Sequence, residues 1–118
     1  MSNEGQITFY ISGEIRKLVK FLRKREEITK IVFYKRAVRL FFEGDQKIDP
    51  RILITKRSHP DYIRREVLET VQIEPEQKQA VKKLAEERGC KEGHIMFMAV
   101  LNYCAMLLSI DSTGVKFK

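Results

Sequence analysis

Two short stretches of the chain alternate between apolar and other residues at the period of two that is typical of a β-strand. In residues 6–11, one face carries Ile7, Phe9 and Ile11. In residues 68–73, the corresponding face carries Val71 and Ile73, with Glu69 in place of a third apolar residue. The opposite faces carry, in chain order, Gln6, Thr8, Tyr10, Leu68, Thr70 and Gln72. The pattern predicts two strands, each with one face toward a core.

Each predicted strand is followed by apolar residues at the three- and four-residue spacing of an amphipathic helix. The first such helix follows Ser12, a residue type that favours the N-cap position. The second begins near Pro75 and ends at Gly89, because proline suits a first helical turn and glycine suits a left-handed C-cap. The two apolar stripes consist of Ile15, Leu18, Val19 and Leu22, and of Ala80, Val81, Leu84 and Ala85.

A further helix is predicted after each of these two. One runs from Lys30 to about Phe42, behind Thr29 as its N-cap. The other runs from Ile95 to Ile110, where 14 of the 16 residues are apolar. This run is shorter than the roughly 18–20 apolar residues that a membrane-spanning helix needs. We therefore predict a core helix that is buried on all sides.

The chain repeats itself at a distance of 62 residues. Without a gap, residues 5–42 align with residues 67–104 and share eight identities. Most of the identities fall at strand, core or helix-start positions, for example Thr8 with Thr70 and Leu22 with Leu84. The chain is therefore interpreted as two diverged copies of one unit. Glu27 aligns with Gly89, so the first of the two helix-ending turns is expected to differ from the second.

This order of a short strand, a helix, a turn with a glycine and a second helix resembles the ribbon-helix-helix family of DNA-binding proteins. The resemblance implies a mostly α fold with a short two-stranded antiparallel ribbon, built from two tandem modules that form a pseudo-dimer. The expected boundaries are residues 1–44 for module 1, 45–66 for a connector, and 67–118 for module 2 with a C-terminal tail. The apolar residues 52–54 of the connector suit either an extra strand or a loop packed on the core. The single-chain arrangement is similar to that of transcription regulators of archaeal filamentous viruses.

In that family the ribbon enters the DNA major groove, and its outward side chains touch the edges of the bases. The resemblance implies base contacts from Gln6, Thr8 and Tyr10 on one side of the DNA site, and from Leu68, Thr70 and Gln72 on the other. It also implies phosphate contacts from Thr29, Lys30 and Lys91, at the starts of the second helices. Tyr10 and Leu68 depart from the short polar or basic residues usual in the family. The two halves of the DNA site are therefore not expected to be equivalent.

The charge of the chain agrees with an acidic partner. The formal net charge is +7, which favours nucleic acid over a membrane surface. Residues 1–44 hold 10 Lys and Arg against 5 Asp and Glu, whereas residues 67–118 hold 7 of each class. The two cysteines, Cys90 and Cys104, indicate no disulfide framework, so a reducing cytoplasm is expected, that of the host if the protein is viral.

Other functions have weaker support in the sequence. No arrangement of nucleophile and base, glycine-rich phosphate loop or paired carboxylates stands out, so an enzyme is not expected. Cys90 and His94 have a spacing that a metal could use, but two ligands do not make a site, and neither a metal nor another cofactor is expected. The alternative function is an antitoxin-like or other protein-interaction module, and self-association through the apolar run from Ile95 to Ile110 is also possible. RNA is disfavoured, because a ribbon fits the major groove of B-form DNA better than the narrow groove of A-form RNA.

Overall fold

The computed structural model describes residues 4–114, and the side chains of residues 4–110. In chain order the elements are β1 (Gln6–Ile11), α1 (Gly13–Glu26), α2 (Lys30–Glu43), a 3-10 helix (Pro50–Leu53), β2 (Val67–Gln72), α3 (Pro75–Arg88) and α4 (Glu92–Gly114). The fold is thus mostly helical with a two-stranded antiparallel sheet, which confirms the coarse fold class predicted from the sequence. Residues 115–118 of the predicted C-terminal tail lie outside the described residues.

The two strands of the chain pair with each other in a register centred on two threonines. Thr8 lies opposite Thr70, Gln6 lies opposite Gln72, and the other pairs follow in order. The N–H of Ile73 donates to the carbonyl of Gly5 at 2.8 Å and extends the ladder by one bond. A Cβ on Gly5 would collide with the Ile73 carbonyl oxygen, so this close approach requires glycine.

Three of the helix boundaries in each half fall at corresponding positions, and only the ends of α2 and α4 differ. A shift of 62 residues places α1 on α3 with identical bounds and places the start of α2 on the start of α4. Ser12 caps α1, where its Oγ accepts the N–H of Ile15 at 3.1 Å. At the start of α3, the side chain of Gln77 instead accepts the N–H of Glu74 at 3.0 Å. Different residues thus satisfy the free donors at two equivalent helix starts.

The turns that end α1 and α3 are alike, so the difference expected at Glu27 is wrong. Glu27 adopts the left-handed conformation with φ 57° and ψ 45°, close to the 65° and 36° of Gly89. In both turns the cap N–H points to the carbonyls three and four residues earlier. The first half therefore forms the same turn with a non-glycine residue, although a side chain raises the conformational energy in the left-handed region.

The core lies between the inner face of the ribbon and the two second helices. α2 packs against β2 and α4, while α4 packs against β1, so that each second helix supports the strand of the other half. Residues at equivalent positions of the two halves are buried, among them Phe9 and Val71, Ile11 and Ile73, Val19 and Val81, Leu22 and Leu84, Phe33 and Ile95, Ala37 and Ala99, and Val38 and Val100. The buried residues of both halves pack together into one continuous core.

The last part of α4 is buried on one side only, which corrects the prediction of a helix buried on all sides. α4 continues nine residues beyond the position equivalent to the end of α2 at Glu43. In this extension Leu107 is buried and its carbonyl accepts a hydrogen bond from Arg25 of α1. Met106, Leu108 and Ile110 are 37%, 40% and 54% exposed, because the described fold covers only the Leu107 side of the helix. Of the helices described, only α4 has the length and apolar content of a membrane span, over Glu92–Ile110, and half of that stretch is buried in the fold.

The connector between the halves packs on the core as a 3-10 helix and a loop rather than as an extra strand. Ile52 of the 3-10 helix is fully buried. The guanidinium of Arg65 donates to the carbonyls of Ile52 and Ile54 at 2.8 and 3.1 Å, and it lies over the ring of Phe97. The two hydrogen bonds hold the connector together, and the contact with Phe97 attaches it to the side of α4.

Candidate nucleic-acid interface

The structure places all six residues predicted to contact bases on one face of the ribbon, away from the core. Thr8, Tyr10, Leu68 and Thr70 are exposed, and Gln6 and Gln72 at the end of the ribbon are half-buried. Alternation along each strand produces this face, since the intervening residues point into the core. The outer face of the ribbon is therefore accessible to solvent, as the alternation in the sequence predicts.

The register arranges these six residues as three cross-strand pairs, so that facing residues of the outer face come from different strands. Gln6 and Gln72 share one end of the ribbon, whereas Tyr10 and Leu68 share the other. Each end of the ribbon therefore combines residues of both strands, and the division of a DNA site by strand stays a prediction. The ribbon has an amide end and an apolar end, because antiparallel pairing brings the start of one strand to the end of the other.

The two threonines at the centre of the ribbon contact each other. The Oγ1 atoms of Thr8 and Thr70 lie 3.1 Å apart, and either hydroxyl can donate. One hydroxyl proton is thus used within the ribbon. The other remains available to an acceptor above it.

The starts of the second helices flank the ribbon on opposite sides. Thr29, which is exposed, caps α2 through a bond from the N–H of Val32 to its Oγ1 at 3.2 Å. The start of α4 lies against β1, where a Cβ on Gly93 would come within 3.2 Å of the Phe9 Cβ. The first N–H groups of a helix have no partner within it, and the helix dipole adds positive potential there. Both helix starts can therefore favour anions beside the ribbon.

His94 completes the cap of α4, a role that the sequence reading missed. Its Nδ1 accepts the backbone N–H of Lys91 at 3.2 Å, as a Glu or Gln at the third helical position does in a capping box. Burial and the nearby cations Arg65 and Lys91 lower the pKa of His94, which keeps the imidazole neutral. The Lys91 side chain is exposed next to this cap, whereas His94 itself is buried. A residue with a side-chain acceptor three positions after the N-cap is the sequence signal that would have predicted this hydrogen bond.

Lys30 has a partner inside the protein. Its Nζ lies 3.4 Å from Oε1 of Glu69, the carboxylate that replaces an apolar residue on the inner face of β2. The hydroxyl of Tyr34 donates to the other oxygen of Glu69 at 3.2 Å. Burial and the neighbouring Glu69 raise the pKa of Tyr34 far above its usual range, so this phenol stays protonated. Lys30, whose side chain is 38% exposed, thus pairs with a buried carboxylate at the edge of the core, and a phosphate contact from Lys30 remains a prediction.

A cleft of about 860 Å³ opens beside the β1 side of the ribbon. The outer residues Thr8 and Tyr10 form one edge, and the connector, α3 and the start of α4 form the rest. Its charged lining mixes both signs, from Arg57, Arg65, Lys82 and Lys91 and from Glu66, Glu86 and Glu92. Cys90 and His94 also line it, yet the described residues contain no cluster of three or more His, Cys, Asp or Glu that could hold a metal. Burial raises the pKa of the Cys90 thiol, which makes it a poor nucleophile.

Comparisons of the chain with protein-family models, with curated proteins and with solved structures found no match. The residues and geometry of the chain itself are therefore what supports a function for it.

Proposed function

We propose that this protein is a sequence-specific regulator of transcription that binds double-stranded DNA through its antiparallel ribbon. In this proposal the two halves are tandem ribbon-helix-helix modules, folded as a pseudo-dimer within one chain. The observation that carries the proposal is the register of the ribbon. Thr8 and Thr70, which the 62-residue repeat makes equivalent, lie opposite each other, as residues on a two-fold axis do.

The chemistry of the outer face suits the edges of base pairs. A side-chain amide can bond an adenine edge in a bidentate manner, so the Gln6 and Gln72 end suits adenine. The Tyr10 and Leu68 end, 56% and 54% exposed, suits apolar contact with thymine methyl groups. The two ends would therefore read different half-sites.

The net charge of the chain and the positions of the two helix starts both suit contacts with DNA phosphates. The net charge of +7 attracts a polyanion, and phosphate neutralisation makes the affinity depend on salt. Thr29 and Lys91 lie at the two helix starts that flank the ribbon, where phosphates on either side of a major groove would come close. These contacts would position the ribbon without reading sequence.

The test is selection of bound duplexes from a random pool, followed by affinity measurements at several salt concentrations. We expect an enriched motif with two unlike halves, and a steep loss of affinity as salt rises. Combined Gln6→Ala and Gln72→Ala substitutions should reduce discrimination at one half only, by about 1–3 kcal/mol per lost contact. Lys91→Ala should weaken binding to all duplexes and reduce the salt slope by about 1.

Gln79→Ala provides a matched control, because Gln79 is an exposed glutamine on α3, outside the ribbon. It should leave both the motif and the affinity unchanged. Absence of any enriched motif, or a motif that the ribbon substitutions do not alter, would contradict base reading by the ribbon.

One observation favours a second candidate function, a protein-interaction module such as an antitoxin-like binder. The α4 extension exposes the apolar residue Leu108 on one side and Met106 and Ile110 on the other, and a protein partner could cover these residues. A stoichiometric complex with a co-encoded protein, lost on substitution of Leu108 by Glu, would favour this function over DNA binding.

A further inference from the structure

Under the ribbon, a carboxylate of the second half binds two side chains of the first half, whereas the equivalent position of the first half carries no carboxylate. Glu69 belongs to the second half and is 6% exposed. Its two partners, Lys30 and Tyr34, both come from α2 in the first half. At the position equivalent to Glu69, the first half has the buried apolar residue Ile7.

Pairing between two copies of the second half would leave Glu69 without these partners. At the positions equivalent to Lys30 and Tyr34, α4 carries Glu92 and Met96. In the same geometry Glu69 would face a second carboxylate and a thioether that cannot donate a hydrogen bond. A buried carboxylate without a cation or a donor is strongly disfavoured, so this pairing is opposed.

Pairing between two copies of the first half meets the complementary problem. Lys30 and Tyr34 would then face Ile7, which offers no acceptor. The buried hydroxyl of Tyr34 and the ammonium of Lys30 would both lose their partner. Only the pairing of unlike halves satisfies all three groups.

We propose that Glu69, Lys30 and Tyr34 form a recognition set that makes β2 pair with β1 and rejects pairing between like halves. The set acts as a single buried polar residue does when it selects the register of a coiled coil. It rests on the two-module organisation proposed above, but it does not depend on binding to DNA.

The first test uses disulfide trapping in the full-length chain. In the register of this ribbon, position 70 would face position 70 of a second copy if two second halves paired, at a separation that suits a disulfide. Thr70→Cys should therefore stay a monomer after refolding at high concentration and mild oxidation. With Glu69→Ile, which installs the residue of the equivalent first-half position, it should form a disulfide-linked dimer.

Three controls define the trapping result. Thr8→Cys with Thr70→Cys should form a disulfide within one chain, since the two threonines face each other. The parent chain reports any linkage through its own Cys90 and Cys104. Glu69→Ile with Gln79→Cys reports random collision of exposed thiols. An equal dimer yield with Glu69 and with Ile at position 69 would overturn the proposal.

The second test does not rely on dimer formation. Lys30→Glu places two carboxylates together and should lower the urea midpoint, whereas Lys30→Glu with Glu69→Lys should recover at least half of that loss. Additive losses in the double variant would show that the two side chains do not recognise each other, and would overturn the proposal. Neither test contains DNA, so a chain that fails to bind duplexes could still retain this recognition set.

Discussion

At the scale of single residues, the protonation state of His94 matters for the start of α4. Its Nδ1 must be unprotonated to accept the N–H of Lys91, and its ring is buried. Protonation would remove the acceptor and place a cation next to Lys91 and Arg65, two of the groups that lower its pKa. The folded pKa therefore lies below the 6.5 of a free histidine, so the fold favours the neutral form.

We predict that acid weakens the protein through His94. Because the pKa is lower in the folded state, the contribution of His94 to stability is present above about pH 6.5 and is lost as the pH falls through and below that value. His94→Gln keeps a capping acceptor that does not titrate. Urea unfolding between pH 5 and pH 8 should show the parent losing stability relative to His94→Gln toward pH 5. Parallel curves for the two proteins would show that His94 does not titrate in this way.

At the scale of elements, the two helix-ending turns show how one backbone geometry is built from different residues. Glu27 and Gly89 have nearly the same dihedral angles and equivalent cap bonds, although only Gly89 lacks a Cβ. A side chain in the left-handed region costs energy that glycine avoids. The chain thus has the same turn between α1 and α2 as between α3 and α4, although the residue in the left-handed position differs.

We predict opposite effects of substitutions at these two turns. Glu27→Gly should stabilise the protein by up to about 1 kcal/mol, because relief of the left-handed strain exceeds the added freedom of the unfolded chain. Gly89→Ala should destabilise it by about 1 kcal/mol, because alanine is strained at φ 65° although nothing obstructs its Cβ. The measurement is the free energy of unfolding in urea. A stabilising Gly89→Ala would show that the turn can relax to another conformation.

At the scale of the whole molecule, the excess of basic charge and the exposed apolar extension of α4 lie in different parts of the chain. The excess of Lys and Arg lies in residues 1–66, where they number 16 against 9 Asp and Glu. The exposed apolar extension of α4 belongs to the second half, whose charges balance. The proposed binding to DNA and the proposed association with a protein can therefore be tested by separate substitutions.

We predict that any self-association of the protein uses this extension rather than the whole run from Ile95 to Ile110. Half of that run is buried in the core, and Leu108 and Ile110 are among its exposed residues. Leu108→Glu with Ile110→Glu should abolish concentration-dependent dimer formation in sedimentation experiments, since a carboxylate is costly to bury in an apolar contact. Leu53→Glu, at an exposed apolar residue of the 3-10 helix, is the matched control and should have no effect. A dimer that survives the double substitution must use another surface.

The sequence by itself determined the elements of this protein, because their signals are local. Alternation predicted β1 with its observed bounds and β2 to within one residue, and cap residues such as Ser12, Thr29 and Gly89 predicted where helices begin or end. The repeat indicated two copies of one unit, and five of its eight identities lie at positions that are buried in both halves. The six outer residues of the ribbon follow from the same period of two.

Only the tertiary structure decided which of these residues act together, because the partners lie far apart in the chain. The antiparallel register joined Gln6 to Gln72 and Tyr10 to Leu68, although each strand alone suggested a division by strand. Lys30 became a partner of Glu69 only when α2 packed under β2. Met106, Leu108 and Ile110 near the end of α4 stayed exposed because the described fold covers only the side of the helix that carries Leu107. A local pattern records which face of an element is apolar, but contacts between distant segments decide what that face meets.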